Sequence, residues 1–148
     1  MQEAAAFKAE GNAFFKAKDY KSAIEKYTLA IEKYDKDVTF FSNRSACYAA
    51  LEMWDKAADD GRSCIMVDKN FVKGYFRQAT GLKNGGNVAG ALEACKRGLG
   101  IDSTNKDLKA MSRELEESSR MERVNASADT AREQLSSGDI KGAWSTIE

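Results

Sequence analysis

Apolar residues fall along this chain at helical spacing, in copies that repeat. Phe7, Gly11 and Phe14 stand four and three residues apart, the steps that keep side chains on one helix face. Small residues return at a constant interval of 34: Ala23, Ala57 and Ala91; Gly11, Ser45 and Ala79; Ala30, Cys64 and Gly98. Larger residues keep the same register, with Phe7, Phe41 and Tyr75, with Phe14, Tyr48 and Leu82, and with Ile31, Ile65 and Leu99. Strand-type alternation is scarce, and Ala, Glu, Lys and Leu dominate the periodic segments, so the expected fold is all-α. Past the third copy, Leu108, Met111 and Leu115 share one face of a further amphipathic helix running from Lys106 to about residue 123.

Six columns in one register resemble the tetratricopeptide repeat, a helix–turn–helix unit of that length. Phe7, Gly11, Phe14, Ala23, Tyr27 and Ala30 match its signature in the first copy. The resemblance implies repeats at 4–37, 38–71 and 72–105, each with a helix A and a helix B. In the first copy these are expected at 4–17 and 20–33, joined at Lys18-Asp19. Glycine inside a helix costs about 1 kcal/mol against alanine; at Gly11 the expected return is close approach of the two helices. Asp19 and Asn87 hold equivalent places before their B helices and are candidate N-caps, and Gly85-Gly86 is a turn signal. The family's usual proline is missing, with Asp35, Lys69 and Ser103 in its place, and no large side chain stands at Gly61 or Cys95. Altered turns or packing adjustments are expected there. Helix 106–123 is expected to cover the open face of the last repeat, so that 4–122 form the domain. Residues 124–148 read as part of a further repeat or a linker, with Ala131, Asp139 and Ala143 at matching positions, and imply a longer protein.

Composition narrows the functions. The 148 residues carry 23 Lys and Arg against 23 Asp and Glu, so no overall field draws the chain to nucleic acid or an anionic membrane. No window approaches the ~18 apolar residues of a membrane span, and the expected setting is cytoplasmic, with the nucleus as the alternative. Histidine is absent, and Cys47, Cys64 and Cys95 are odd in number and unpaired in spacing, which argues against zinc and against a disulfide framework. No cofactor loop is present either: GLKNGGNVAG lacks the phosphate-loop order and reads as a turn. The expectation is a protein that is not an enzyme, with no catalytic residues, no metal and no cofactor.

In a stack of helix pairs the A helices line a concave groove suited to an extended peptide. Lys8 and Asn12 from the first A helix, Asn43 from the second, and Lys73 and Arg77 from the third are its candidate polar residues. Lys73 and Arg77 are like charges four apart, which costs a helix roughly 0.2–0.5 kcal/mol, and an anionic ligand would offset it. Singly, each charge is most simply a solvated helix residue; their joint occurrence with two amides argues for a site.

This set resembles the dicarboxylate clamp of the heat-shock-organising co-chaperone family, through FKAEGNAFF, FFSNRSACYAA and FVKGYFRQA. The resemblance implies that Lys8, Asn12, Asn43, Lys73 and Arg77 hold the C-terminal Glu-Glu-Val-Asp of heat-shock protein 90 or 70. Main-chain terminus and last Asp side chain would both be gripped. By the same resemblance Phe15, Thr39, Ala46, Ala49 and Ala50 flank the groove, and Lys16 and Lys83 add steering toward the acidic ligand. Two alternatives stay open: a repeat scaffold for another partner's segment, or the repeat part of a larger enzyme such as a prolyl isomerase, phosphatase or J-domain protein. The simplest reading of Glu114, Glu116 and Glu117 is the wet face of the covering helix, and Trp54 and Trp144 are expected to pack.

Overall fold

The computed structural model describes residues 2–136. It contains α1 (Gln2–Lys16), α2 (Tyr20–Lys33), α3 (Val38–Ala50), α4 (Trp54–Val67), α5 (Val72–Asn84), α6 (Val88–Ile101) and α7 (Lys106–Ser136). Successive helices from α1 through α6 pack on one another, and α3 also touches α5. Met1–Leu115 group as one compact unit. Among the described residues, no helix is long and apolar enough to cross a membrane.

The turn inside each pair is built the same way. Lys18, Glu52 and Gly86, at intervals of 34, all have positive φ, at 61°, 58° and 95°. The following amides of Asp19, Met53 and Asn87 donate to the carbonyls of Phe14, Tyr48 and Leu82 at 2.8–2.9 Å, while Lys18, Glu52 and Gly86 donate to Phe15, Ala49 and Lys83. This is the Schellman arrangement, which satisfies carbonyls at a helix end. Only the third copy uses glycine; Lys18 and Glu52 bear about 1 kcal/mol of backbone strain each. Asp19 and Asn87 cap α2 and α6 through the amides of Ser22 and Gly90, whereas Met53, between them in register, offers no side-chain cap to α4.

The B helices stop without proline. Tyr34, Asp68 and Asp102 are extended and donate their amides to Ala30, Cys64 and Gly98. At the last two, the Asp carboxylate accepts from the amide two residues on, at Asn70 and Thr104. Such a turn redirects the chain with a side-chain acceptor in place of a fixed pyrrolidine ring.

Buried residues form clusters that follow the pairs. Ala4, Ala30 and Phe40 make one, and Ala23, Tyr27 and Cys47 another. In the third, Leu108, Met111 and Leu115 of α7 close over Ala79, Ala91, Ala94 and Cys95, the covering contact the sequence implied. Helix α7 does not end near 123, however, but runs through Ser136. No glycine or proline interrupts 106–136, and the first breaker is Gly138. The expected end of the covering helix at 123 is corrected on this point; Asp139, Ala143 and Trp144 lie outside the described residues.

Gly11 has the role expected of it, since a Cβ there would lie 2.7 Å from the Tyr27 ring. Gly61 shows why no large side chain stands at its own place in the register. A Cβ at that position would fall 2.3 Å from the backbone nitrogen of Gln78, so α4 and α5 meet main chain to main chain. Between the pairs, Arg44 of α3 makes a two-pronged ion pair with buried Asp60 of α4 at 2.7 and 2.8 Å and donates to Thr28 of α2 at 3.1 Å. All three cysteines are free and buried. Burial pushes the Cys47 and Cys64 thiols up to about 12, so they stay protonated and inert.

Candidate functional site

The first helices of the three pairs bring Asn12, Asn43 and Arg77 to one cavity, which Lys8 and Lys73 do not line. A cavity of about 320 Å³ is lined by Asn12, Phe15 and Lys16 of α1, Tyr27 of α2, Asn43 and Ala46 of α3, and Arg77 of α5. Six of these are candidates from the sequence, where Tyr27 stands only as part of the repeat signature. Asn12 and Asn43 reach each other across 31 positions, with Asn43 Nδ2 3.4 Å from Asn12 Oδ1. The Tyr27 hydroxyl donates to that same oxygen at 2.6 Å. Phe15 packs edge-on against Tyr20, ring centres 5.6 Å apart, and supplies the apolar rim opposite Ala46.

Arg77 is half-buried, and among the described residues its one side-chain hydrogen bond is from Nε to the Ser42 hydroxyl at 3.3 Å. Burial lowers its guanidinium from the usual value, because the charged form has lost water without gaining a carboxylate; the neighbouring Cys64 and Cys47 act the other way. Lys8 leans from α1 toward α3, its Nζ 5.9 Å from the centre of the Phe40 ring. Lys73, four residues before Arg77 on α5, is exposed. Among the described residues, Lys8, Lys73 and Arg77 take part in no ion pair, although exposed lysines elsewhere do, as Lys33 with Glu3. Asn12, Asn43 and Arg77 present donors to the cavity, and what they can do chemically is hold an anionic, acceptor-rich group.

The remaining candidates lie elsewhere. Thr39 is engaged at the start of α3, where its amide and hydroxyl both donate to Asp37. Ala49 and Ala50 sit further along α3 and do not line the cavity. Lys83 pairs with Glu114 of α7 at 2.8 Å, so its charge is partly spent inside the fold, and Glu114 is more than a solvated face. A wider depression near Trp54 and Lys56 is lined also by Glu52 and Asp55, an acidic surround that disfavours an anion.

The chain matches no family model. It is 38% identical over 109 residues to small glutamine-rich tetratricopeptide repeat-containing protein 2 of Mycosarcoma maydis, covering 74% of this chain and 31% of that protein. It is also 38% identical over 104 residues to heat shock protein STI1 of Saccharomyces cerevisiae, covering 70% of this chain and 18% of that one. The chain thus spans less than a third of the length of these relatives. Among solved structures, the second tetratricopeptide domain of human RPAP3, in complex with the HSP70 peptide SGPTIEEVD, aligns with a TM-score of 0.75 at 25% identity, over 78% of this chain and 96% of that one. Three helix pairs on a 34-residue register, with these similarities in sequence and in fold, make the chain a tetratricopeptide-repeat domain homologous to those of heat shock protein STI1 and the small glutamine-rich repeat proteins.

Proposed function

We propose that this domain is a peptide-binding adaptor that grips the C-terminal Glu-Glu-Val-Asp tail of heat-shock protein 90 or 70, as a co-chaperone module working in the cytosol. The single observation that carries it is Arg77: half-buried, stripped of water, without a carboxylate partner among the described residues, and facing the same cavity as Asn12 and Asn43. Two acceptor groups at a peptide's end supply what that cavity lacks. Lys8 of α1 and Lys73 of α5, neither in an ion pair among the described residues, complete the clamp beside Lys16 at the cavity wall, and Phe15 and Ala46 border the Val that precedes the last Asp. The unit responsible is residues 4–122, and its work is recognition without turnover.

Charge-assisted hydrogen bonds contribute about 1.5–3 kcal/mol each, and a micromolar complex needs about 8 kcal/mol. A few good contacts therefore suffice. Titration calorimetry with the free-acid peptide SGPTIEEVD and its C-terminal amide tests the reading. The expected result is micromolar binding of the acid, weakening as salt is raised, and at least a tenfold loss for the amide, equivalent to about 1.4 kcal/mol. Equal affinity for acid and amide would remove the terminal carboxylate from the site.

A further inference from the structure

The Asn12 side chain can serve an anion in only one of its two orientations. Its Nδ2 carries two donors and its Oδ1 only lone pairs, so a flipped amide would set oxygen against carboxylate. We propose that Tyr27 is a positioning residue: its buried hydroxyl holds Asn12 Oδ1 away from the ligand and so aims the Asn12 amide nitrogen at the peptide carboxylate. The inference rests on the carboxylate-binding reading above and adds to it a residue that touches no ligand charge itself.

The geometry supports this from three sides. Tyr27 OH lies 2.6 Å from Asn12 Oδ1, the shorter of the two contacts to that atom, and Asn43 Nδ2 approaches the same oxygen at 3.4 Å. Both lone pairs are thereby occupied, and both N–H groups of Asn12 remain for an incoming acceptor. The tyrosine cannot easily move, because its ring is 1% exposed and wedged against the bare Cα of Gly11. Burial also keeps the phenol protonated, with its pKa pushed up to about 12 and the nearby Cys47 acting in the same direction, so it is a donor throughout the physiological range.

The repeat itself supplies a comparison. The column of Tyr27 continues as Gly61 and Cys95, and the column of Asn12 as Ala46 and Thr80. The phenol therefore occurs only in the copy that has an amide to orient.

A double-mutant cycle reads the effect, with SGPTIEEVD as the free acid, the wild-type domain, Tyr27→Phe, Asn12→Ala and the double variant. Phenylalanine keeps the ring against Gly11 and removes only the hydroxyl. Tyr27→Phe is expected to weaken binding about fivefold, the scale of one net hydrogen bond. In the Asn12→Ala background the same change is expected to weaken it by less than about 1.5-fold, since additivity fails for coupled neighbours. A general packing defect would instead weaken both backgrounds alike, and that result, or an unchanged affinity for Tyr27→Phe alone, overturns the inference. Absence of binding by the wild-type domain would overturn the carboxylate reading and this inference together, which separates the two failures. If the Phe variant does not fold, the wild-type Asn12 side-chain amide resonances decide: they are expected to move on peptide addition, and unmoved resonances overturn the inference.

Discussion

Two half-buried arginines, one at the α2–α3–α4 seam and one in the cavity of α1, α3 and α5, meet opposite fates. Arg44 has Asp60 on both prongs, Thr28 on a third nitrogen, and the rings of Phe41 and Tyr48 beneath it at 5.9 and 5.7 Å. Arg77 has one hydroxyl at 3.3 Å. Both have lost solvent, but only the first has recovered its interactions inside the protein. A charge satisfied within the fold holds helices together, whereas a desolvated charge left unsatisfied is a place for something else to bind.

The largest expected effect breaks the first of these. Asp60→Ala leaves Arg44 charged and unpaired at the seam and should destabilise the domain by about 3–5 kcal/mol in urea unfolding. A loss under about 1 kcal/mol would mean that water replaces the carboxylate. Next comes the second arginine, where the effect should appear in affinity and not in folding. Arg77→Ala is expected to weaken SGPTIEEVD binding about 30-fold or more, with unchanged helicity by circular dichroism and stability within about 0.5 kcal/mol, because removing a desolvated charge with no ion-pair partner leaves no opposite charge stranded. Stability lost in step with affinity would erase the distinction between the two arginines.

The smallest effect reports on both regions at once. Cys47 and Cys64 feel Arg77 and Asp60 together, with burial dominating and holding both thiols at about 12. Thiolate is scarce far below that pKa, so iodoacetamide at pH 8 should label neither residue in the native wild type, and the label should grow as pH rises toward 12. The Asp60→Ala variant should label faster through more frequent unfolding, and Arg77→Ala at the wild-type rate. Mass spectrometry of the alkylated peptides separates these outcomes.

The sequence shows these features unevenly, for physical reasons. The helix pairs are legible because packing demands small residues at 11, 23 and 30 and at their counterparts 34 and 68 positions on. The caps at Asp19 and Asn87 are legible because one residue type does the work locally. Lys18 and Glu52 hide the same left-handed turn that Gly86 announces, since tertiary packing imposes the conformation on side chains that do not favour it. The end of α7 is hidden because repeat register suggests a break where local propensity continues the helix. In the site, Asn12, Asn43 and Arg77 could be chosen by register alone, but Lys83 could not be assigned without knowing that Glu114 lies within reach. Neither the Arg44–Asp60 pair nor the Tyr27–Asn12 bond has a sequence signal; each joins residues 15 or 16 apart across a helix turn.

Gly61 sits where the α4 backbone meets the peptide unit joining Arg77 to Gln78, with no side chain between them. The seat of Arg77 against α4 is consequently gauged by main chain, like marks on a steel rule, and not by rotamers that could yield. A single added methyl at 61 would lengthen the rule and lift α5, Arg77 with it, off α4.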